Sequence, residues 1–231
     1  MDESLIKKEP LGGGFFINVS PHHTFGTDAV LLADFAKAKK NDKLVDLGTG
    51  CGIIPFLMLR DGNLKSAVGV DISEEAISLA KRTSRENGTD RFAALNSDLN
   101  DLKGRVEFGC HTLITCNPPY KAAKAGIESE LSAHKIARHE ILCNISDVCA
   151  AGNKLLKYGG RLCLCNRPER LADVMCAMRD NDIEPKYLRF VSKSPSDAPW
   201  LFLIEGRKGG GSFMQVLPQL YISGSGGISP E

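Results

Sequence analysis

Little in this 231-residue sequence tilts it toward one kind of partner. Basic and acidic residues nearly cancel, 29 against 28, leaving a formal net charge of +1. The basic excess common among nucleic-acid binders is missing, so any affinity for RNA has to come from local clusters. Lys81, Arg82 and Arg85 on one expected helix form such a cluster, and Lys186, Arg189 and Lys193 on a later strand form another. Each reads first as a solvated face. No apolar run approaches the roughly 18 residues of a membrane span. The opening Met1-Asp2-Glu3-Ser4 lacks the charged-then-apolar layout of a secretion signal. C-x-x-C and H-x-x-x-H spacings are also absent, so no metal site is expected. The eight cysteines fall mostly in apolar runs (Cys110, Cys116, Cys163, Cys165) and read as small buried hydrophobes. A cytoplasmic, reducing location is therefore expected.

An apolar content of 42% with 25% charged residues argues against disorder, and the length suits one α/β domain with a sizeable core. Short apolar strands are expected at residues 43–47, 67–70, 92–95, 112–116 and 161–165. A helix starts near Ile53, with Pro55 tolerated in its first turn. Ser73 is the expected N-cap of a second, with Glu74 and Glu75 at the positive end of its dipole and Asn87-Gly88 at its stop. Ser146 or Asp147 is expected to cap a third helix that Gly159-Gly160 ends, and Pro168 opens a fourth. Two last strands, 186–191 and 200–204, follow each other without a helix and should pair antiparallel. The pattern predicts an α/β, Rossmann-like, mostly parallel seven-stranded sheet with an antiparallel final strand and helices on both faces. Its expected division is an N-terminal segment, 1–40, packing on the ligand site, a main domain, 41–208, and a Gly-rich C-terminal arm, 209–231, irregular and frayed.

In such sheets ligands bind beyond the carboxyl ends of the strands, and every chemistry-bearing motif lies at such an end. Asp46-Leu47-Gly48-Thr49-Gly50-Cys51-Gly52 joins the first strand to its helix. A triphosphate-binding loop would continue with Lys-Ser/Thr, whereas Ile53-Ile54 follow Gly52. A dinucleotide loop would read G-x-G-x-x-G and carry a pyrophosphate, which Asp46 would repel. The same carboxylate suits an ammonium, and S-adenosylmethionine carries an ammonium and no phosphate. Asp71, 23 residues after Gly48, stands where a carboxylate accepts from both ribose hydroxyls. Asp98 is placed to accept from an adenine amino group, with the Leu99 backbone along the base edge. At each position a plain turn or a helix-start acid remains the alternative.

Asn117-Pro118-Pro119-Tyr120 closes the fourth strand. The prolines stop the ladder and stiffen the backbone. An exocyclic amine conjugated to an aromatic ring is a poor nucleophile. An amide oxygen on Asn117 and the Pro118 carbonyl, each accepting one of its hydrogens, would pull the nitrogen toward tetrahedral geometry and free its lone pair. Attack on a sulfonium methyl then needs mainly positioning and electrostatics. Tyr120 offers a stacking face worth about 1–3 kcal/mol.

Together, residues 46–52 and 117–120 resemble the Rossmann-like class I S-adenosylmethionine-dependent methyltransferases that act on amino nitrogens. Phe25-Gly26-Thr27-Asp28-Ala29-Val30-Leu31-Leu32-Ala33, Ala137-Arg138-His139-Glu140 and Gly206-Arg207-Lys208-Gly209-Gly210 narrow the resemblance to the bacterial tRNA1(Val) (adenine(37)-N6)-methyltransferases. It spans about Leu11 to Ile222. The resemblance implies the methyltransferase version of the Rossmann-like fold, S-adenosyl-L-methionine as cofactor, and the anticodon-loop adenine 37 of a tRNA as target. It implies Asn117, Pro118 and Tyr120 as catalytic residues, and Thr27, Asp46, Gly48, Gly50, Asp71, Ile72, Asp98, Leu99 and Asn117 around the cofactor. Lys121, Arg138, Arg82, Arg85, Lys186 and Arg189 are the expected RNA contacts, and a metal-free monomer is expected. Lys121 departs from the pattern, since relatives often carry a second aromatic there.

Three other functions compete. A glutamine N5-methyltransferase of release factors uses the same four residues but carries a helical docking domain before the loop, for which about 45 residues leave too little room. An inactive cofactor-binding RNA-binding module is opposed by intact Asn117 and Tyr120. An oxidoreductase on the same fold is opposed by the glycine spacing and Asp46. Residues 121–132 are polar and weakly periodic, as suits a mobile lid.

Overall fold

The computed structural model describes residues 3–62, 64–118 and 144–222. Its centre is a run of buried apolar strands. β3 (Asp42–Leu47) lies between β4 (Leu64–Asp71) and β6 (His111–Cys116), with β5 (Phe92–Asn96) outside β4 and β7 (Leu156–Asn166) outside β6. All five are parallel. β9 (Leu201–Lys208) then runs antiparallel between β7 and β8 (Ile183–Ser192). The order β8-β9-β7-β6-β3-β4-β5 is the expected Rossmann-like sheet, and its strand order reverses between β3 and β6.

α1 (Thr27–Ala36), α2 (Ile53–Arg60) and α3 (Glu74–Glu86) cover one face, burying Leu31, Leu32, Phe56 and Leu79 against Leu44, Ala67 and Leu113. α4 (Ile145–Leu155) and α5 (Leu171–Asp180) cover the other, with Val148, Leu155, Val174 and Met178 on Val45, Ile114 and Leu162. Among the described residues no helix is long and apolar enough to cross a membrane.

Several expectations are corrected. Asn144, not Ser146 or Asp147, caps α4, its Oδ1 accepting from Ser146 N–H at 3.1 Å. That helix ends at Leu155 rather than at Gly159-Gly160, because Leu156 is already pinned beside His111 in the β6–β7 ladder. Cys110 is half-buried and Cys176 exposed, unlike the fully buried Cys116, Cys163 and Cys165. The C-terminal arm is more regular than expected: β10 (Gln215–Val216) and β11 (Leu220–Tyr221) extend the outer edge of β8 in parallel. Lys186 straps it there, its Nζ donating to the carbonyls of Gly211, Ser212 and Phe213 at 2.9, 3.1 and 2.8 Å.

The N-terminal segment holds elements that the strand–helix pattern does not reveal. β1 (Lys7–Gly12) and β2 (Phe15–Val19) form a hairpin lying along α3. Asn18 N–H and Nδ2 both donate to Thr83 Oγ1, at 2.9 and 3.2 Å, and Asn87 exchanges hydrogen bonds with the Phe16 backbone. A buried ion network ties α1 to the sheet. Arg161 on β7 meets Asp42 at 3.1 Å, Glu205 at 3.0 Å and the Ala36 carbonyl at 2.7 Å.

Candidate active site

The described candidates for the cofactor site lie at the carboxyl ends of β3, β4, β5 and β6, with Thr27 at the start of α1. Parallel pairing places Leu47 beside Val70 on one side and Cys116 on the other, so the segments that follow each strand meet. The loop after β3 is folded onto β4: Gly48 and Thr49 N–H both donate to the Val70 carbonyl, at 2.9 and 3.0 Å. Gly50 holds φ of 55° and donates its N–H to Asp71 Oδ2 at 2.8 Å. Gly52 at φ 92° has no room for a Cβ, which would meet the Phe56 ring at 2.8 Å. Asp71 Oδ1 accepts from Ser73 N–H at 2.8 Å, and Ser73 Oγ in turn accepts from Ala76 N–H as the expected cap of α3. Asp71 therefore joins the glycine loop to the start of α3, a structural duty additional to the ribose contact its spacing suggests.

Asp46 is almost wholly buried beneath this loop, 1% exposed. Thr115 Oγ1 donates to its Oδ1 at 2.6 Å, while Oδ2 has no hydrogen-bond partner. Burial pushes its pKa up to about 7, opposed by the Thr115 hydrogen bond and then by the neighbouring Thr49 hydroxyl, and assisted by the nearby Asp71 charge. Thr115 sits in a run that reads as plain strand core, and only its pairing beside Asp46 reveals this contact.

Beyond β4, Ile72 is 51% exposed, an apolar surface at a strand end. Asn96 Nδ2 donates to the carbonyls of Asp71 and Ile72 at 3.1 and 2.9 Å, fixing that corner. Asp98 Oδ1 accepts from Asn100 N–H at 2.8 Å in a tight Asx turn, and Leu99 is half-buried beside it.

After β6, Asn117 is held on both sides. Its Nδ2 donates to Asp28 Oδ2 at 3.2 Å, and its Oδ1 accepts from the Cys165 thiol at 3.0 Å. Pro118 is buried. Thr27 is exposed at the first position of α1, next to Asp28, and His23 Nε2 meets Ser73 Oγ at 3.0 Å, so the N-terminal segment reaches both the β4 and the β6 corners. Tyr120, Lys121, Arg138 and the expected lid at 121–132 lie outside the described residues.

The remaining basic candidates are not brought together. Arg82 and Arg85 ride on α3 by one edge of the sheet, and Lys186 and Arg189 on β8 at the other. Arg82 Nε is paired with Glu86 at 3.0 Å. Despite its partial burial, Glu86 is drawn down to about 2 by hydrogen bonds from Asn18, Lys8 and Arg82. Arg85 is exposed, Lys186 is engaged by the C-terminal arm, and Arg189 is half-buried. Among the described residues no group of three or more His, Cys, Asp or Glu could hold a metal ion.

A family model described as "Methyltransferase small domain" matches residues 22–170. The tRNA1(Val) (adenine(37)-N6)-methyltransferase of Aeromonas salmonicida (strain A449) is 27% identical over 190 residues, covering 79% of this chain and 76% of that protein. The expected resemblance is thus met by a relative of that name. The release factor glutamine methyltransferase of Agrobacterium fabrum is 33% identical over 91 residues, covering 38% of this chain and 30% of that protein. Among solved structures, a predicted O-methyltransferase from Agrobacterium tumefaciens has a TM-score of 0.69 at 19% identity, covering 88% of this chain and 92% of the other.

Proposed function

This chain belongs to the methyltransferase small domain family, and we propose that it methylates N6 of an unpaired adenine in tRNA, position 37 of a tRNA-Val type anticodon loop, using S-adenosyl-L-methionine. The observation that carries the reading is the junction of Asp46, Gly50 and Asp71 with Asn117 at neighbouring strand ends. The residues present fit the cofactor. The orphaned Oδ2 of Asp46 suits an ammonium, the Asp71 carboxylate suits a ribose diol, and Ile72, Asp98 and Leu99 offer an apolar face and an acceptor to an adenine.

When bound, the cofactor would supply the methyl, the new N–C bond forming at the expense of the C–S bond with S-adenosylhomocysteine as the other product and the surplus amine proton going to water. Asn117 Oδ1 and the Pro118 carbonyl accept the two amine hydrogens and aim the nitrogen lone pair. Tyr120 stacks on the base. No acid–base dyad is required, because the amine proton becomes strongly acidic once nitrogen is alkylated. His23 and Asp28 of the N-terminal segment meet Ser73 and Asn117, at the strand ends read here as the cofactor site. We read the enzyme as a cytoplasmic, metal-free monomer.

An anticodon loop suits this site because it presents an unpaired adenine at low unstacking cost. The Aeromonas salmonicida relative bearing the tRNA name matches 79% of the chain, whereas the release-factor relative matches 38%. The deciding assay offers methyl-labelled cofactor to unmodified tRNA, ribosomal RNA, duplex DNA and release factor side by side. Label is expected in N6-methyladenosine of tRNA. Label in release-factor glutamine with none in tRNA adenine would overturn the RNA substrate while leaving amino-nitrogen chemistry standing.

A further inference from the structure

We infer that Asp28 and Cys165 are positioning residues that fix the rotamer and the flip of the Asn117 carboxamide. The inference rests on the reading of Asn117 as the acceptor for the substrate amine. An asparagine amide has two chemically opposite ends of nearly equal shape, and only one of them serves an amine that must give up its hydrogens. With Nδ2 turned toward the substrate, the site would present a donor to a donor. The backbone of the Asn-Pro-Pro segment orients Cα but leaves the terminal amide torsion broad.

The neighbours of Asn117 resolve that ambiguity by charge and proton inventory. A carboxylate is an acceptor only, so Asp28 Oδ2, at 3.2 Å, demands Nδ2. The Cys165 thiol donates to Oδ1 at 3.0 Å, and because its sulfur accepts only weakly it favours that end of the amide. The two come from separate elements, α1 and β7, and each supports the same orientation. Asp28 is itself steadied by Ala29 N–H, which donates to its other oxygen at 3.0 Å. Cys165 is fully buried, so its proton is shielded from exchange partners in water. One lone pair of Oδ1 stays available for the substrate. The negative charge beside Nδ2 polarises the amide toward its oxygen and strengthens that acceptor.

Reversing the pair in register tests this. Single-turnover rates with labelled cofactor and unmodified tRNA are compared for wild type, Asn117→Ala, Asp28→Asn, Cys165→Ala, Asn117→Asp, and the double variant Asp28→Asn/Asn117→Asp. Asp28→Asn should slow methyl transfer about tenfold, and Cys165→Ala about threefold, with cofactor Kd and tRNA KM changed less than about twofold, since misorientation acts on the reacting geometry. Asn117→Asp should fall about a hundredfold, because two carboxylates then face each other across the former hydrogen bond. In the double variant the introduced amide donates to the introduced carboxylate, and the rate should rise at least about tenfold above Asn117→Asp. A purely structural role for Asp28 would leave the double variant no faster than the slower single, which overturns the inference. A wild-type rate for Asp28→Asn, or a loss confined to cofactor affinity, overturns it too. Asn117→Ala within about threefold of wild type would instead overturn the acceptor reading on which it rests.

Discussion

Gly50 N–H donates to Asp71 Oδ2 at 2.8 Å, which makes the glycine loop and the acid at the end of β4 a single unit. Its second oxygen is equally engaged, by Ser73 N–H. Asp71→Ala therefore removes two charge-assisted hydrogen bonds from the protein itself as well as the ribose acceptor. Cofactor affinity should fall by more than about tenfold, and thermal stability should fall with it. Calorimetric titration together with a thermal melt reads both. Unchanged affinity would sink the ribose assignment, and an unchanged melting temperature would show that the loop does not depend on the carboxylate.

If Asp46 holds the cofactor's ammonium as proposed, cofactor binding should depend on pH. Its pKa near 7 in the free protein means that the carboxyl is largely protonated at pH 6. An ammonium beside Oδ2 favours the charged form, so the bound state has the lower pKa and binding releases a proton. Affinity should rise from pH 5.5 to about 7.5, a range below the usual α-amino titration. Stability of the free protein runs the other way. The folded pKa lies above the ordinary value of 3.8, so the native state holds the extra proton and loses stability as pH rises between roughly 4 and 7. Asp46→Asn should flatten both profiles. A persistent affinity slope in that variant would assign the proton elsewhere.

How much of this was legible in the sequence depends on the range of the contacts. β3 to β6 and the second half of β7 read clearly because each is a short apolar run bounded by a turn, and Ser73 reads as a cap because its partner is three residues away. The site motifs read because each lies at a strand end. The hairpin of β1 and β2 does not alternate cleanly: its first strand, Lys-Lys-Glu-Pro-Leu-Gly, is almost entirely exposed. Its one usable signal was the turn of Gly12, Gly13 and Gly14, all with positive φ. β10 and β11 are two residues each and exist because β8 offers an edge and Lys186 an anchor. Asp28 stood out only as part of the segment that carries the resemblance, with no sign of its role, since its partner Asn117 is 89 residues away. Such contacts become visible only when the fold has closed.

The Arg161 network is likewise long-range, reaching Asp42 across 119 residues and Glu205 across 44. Removing the guanidinium leaves the buried Asp42 carboxylate without its cation and Glu205 with only Arg207, at 3.9 Å. Arg161→Met should cost about 3–5 kcal/mol, which corresponds to a melting temperature lower by on the order of 10 °C for a chain of this size. Because these carboxylates can escape by taking up protons, the deficit should shrink as pH falls from 7 toward 5. Thermal melts across that range check it. A deficit independent of pH would mean that lost packing, not unpaired charge, is the cause.

RNA affinity is the prediction that geometry reshapes most. With a net charge of +1, binding has to draw on a few local cations, helped by stacking on Tyr120. Arg85 is exposed on α3, and Arg82 shares Glu86 with Lys8 and Asn18. Neutralising Arg82 and Arg85 together should weaken tRNA binding and reduce its salt slope by about one to two, while cofactor affinity stays fixed. Lys186 should behave differently. Its ammonium is already committed to three carbonyls of the arm, so Lys186→Ala should raise the protease sensitivity of residues 209–222 whether or not it weakens RNA binding. Filter binding over a salt series, run beside limited proteolysis, separates the two roles. If the α3 double variant keeps the wild-type salt slope, that helix does not meet phosphate. The basic contacts must then come from β8 or from the segment that carries Arg138.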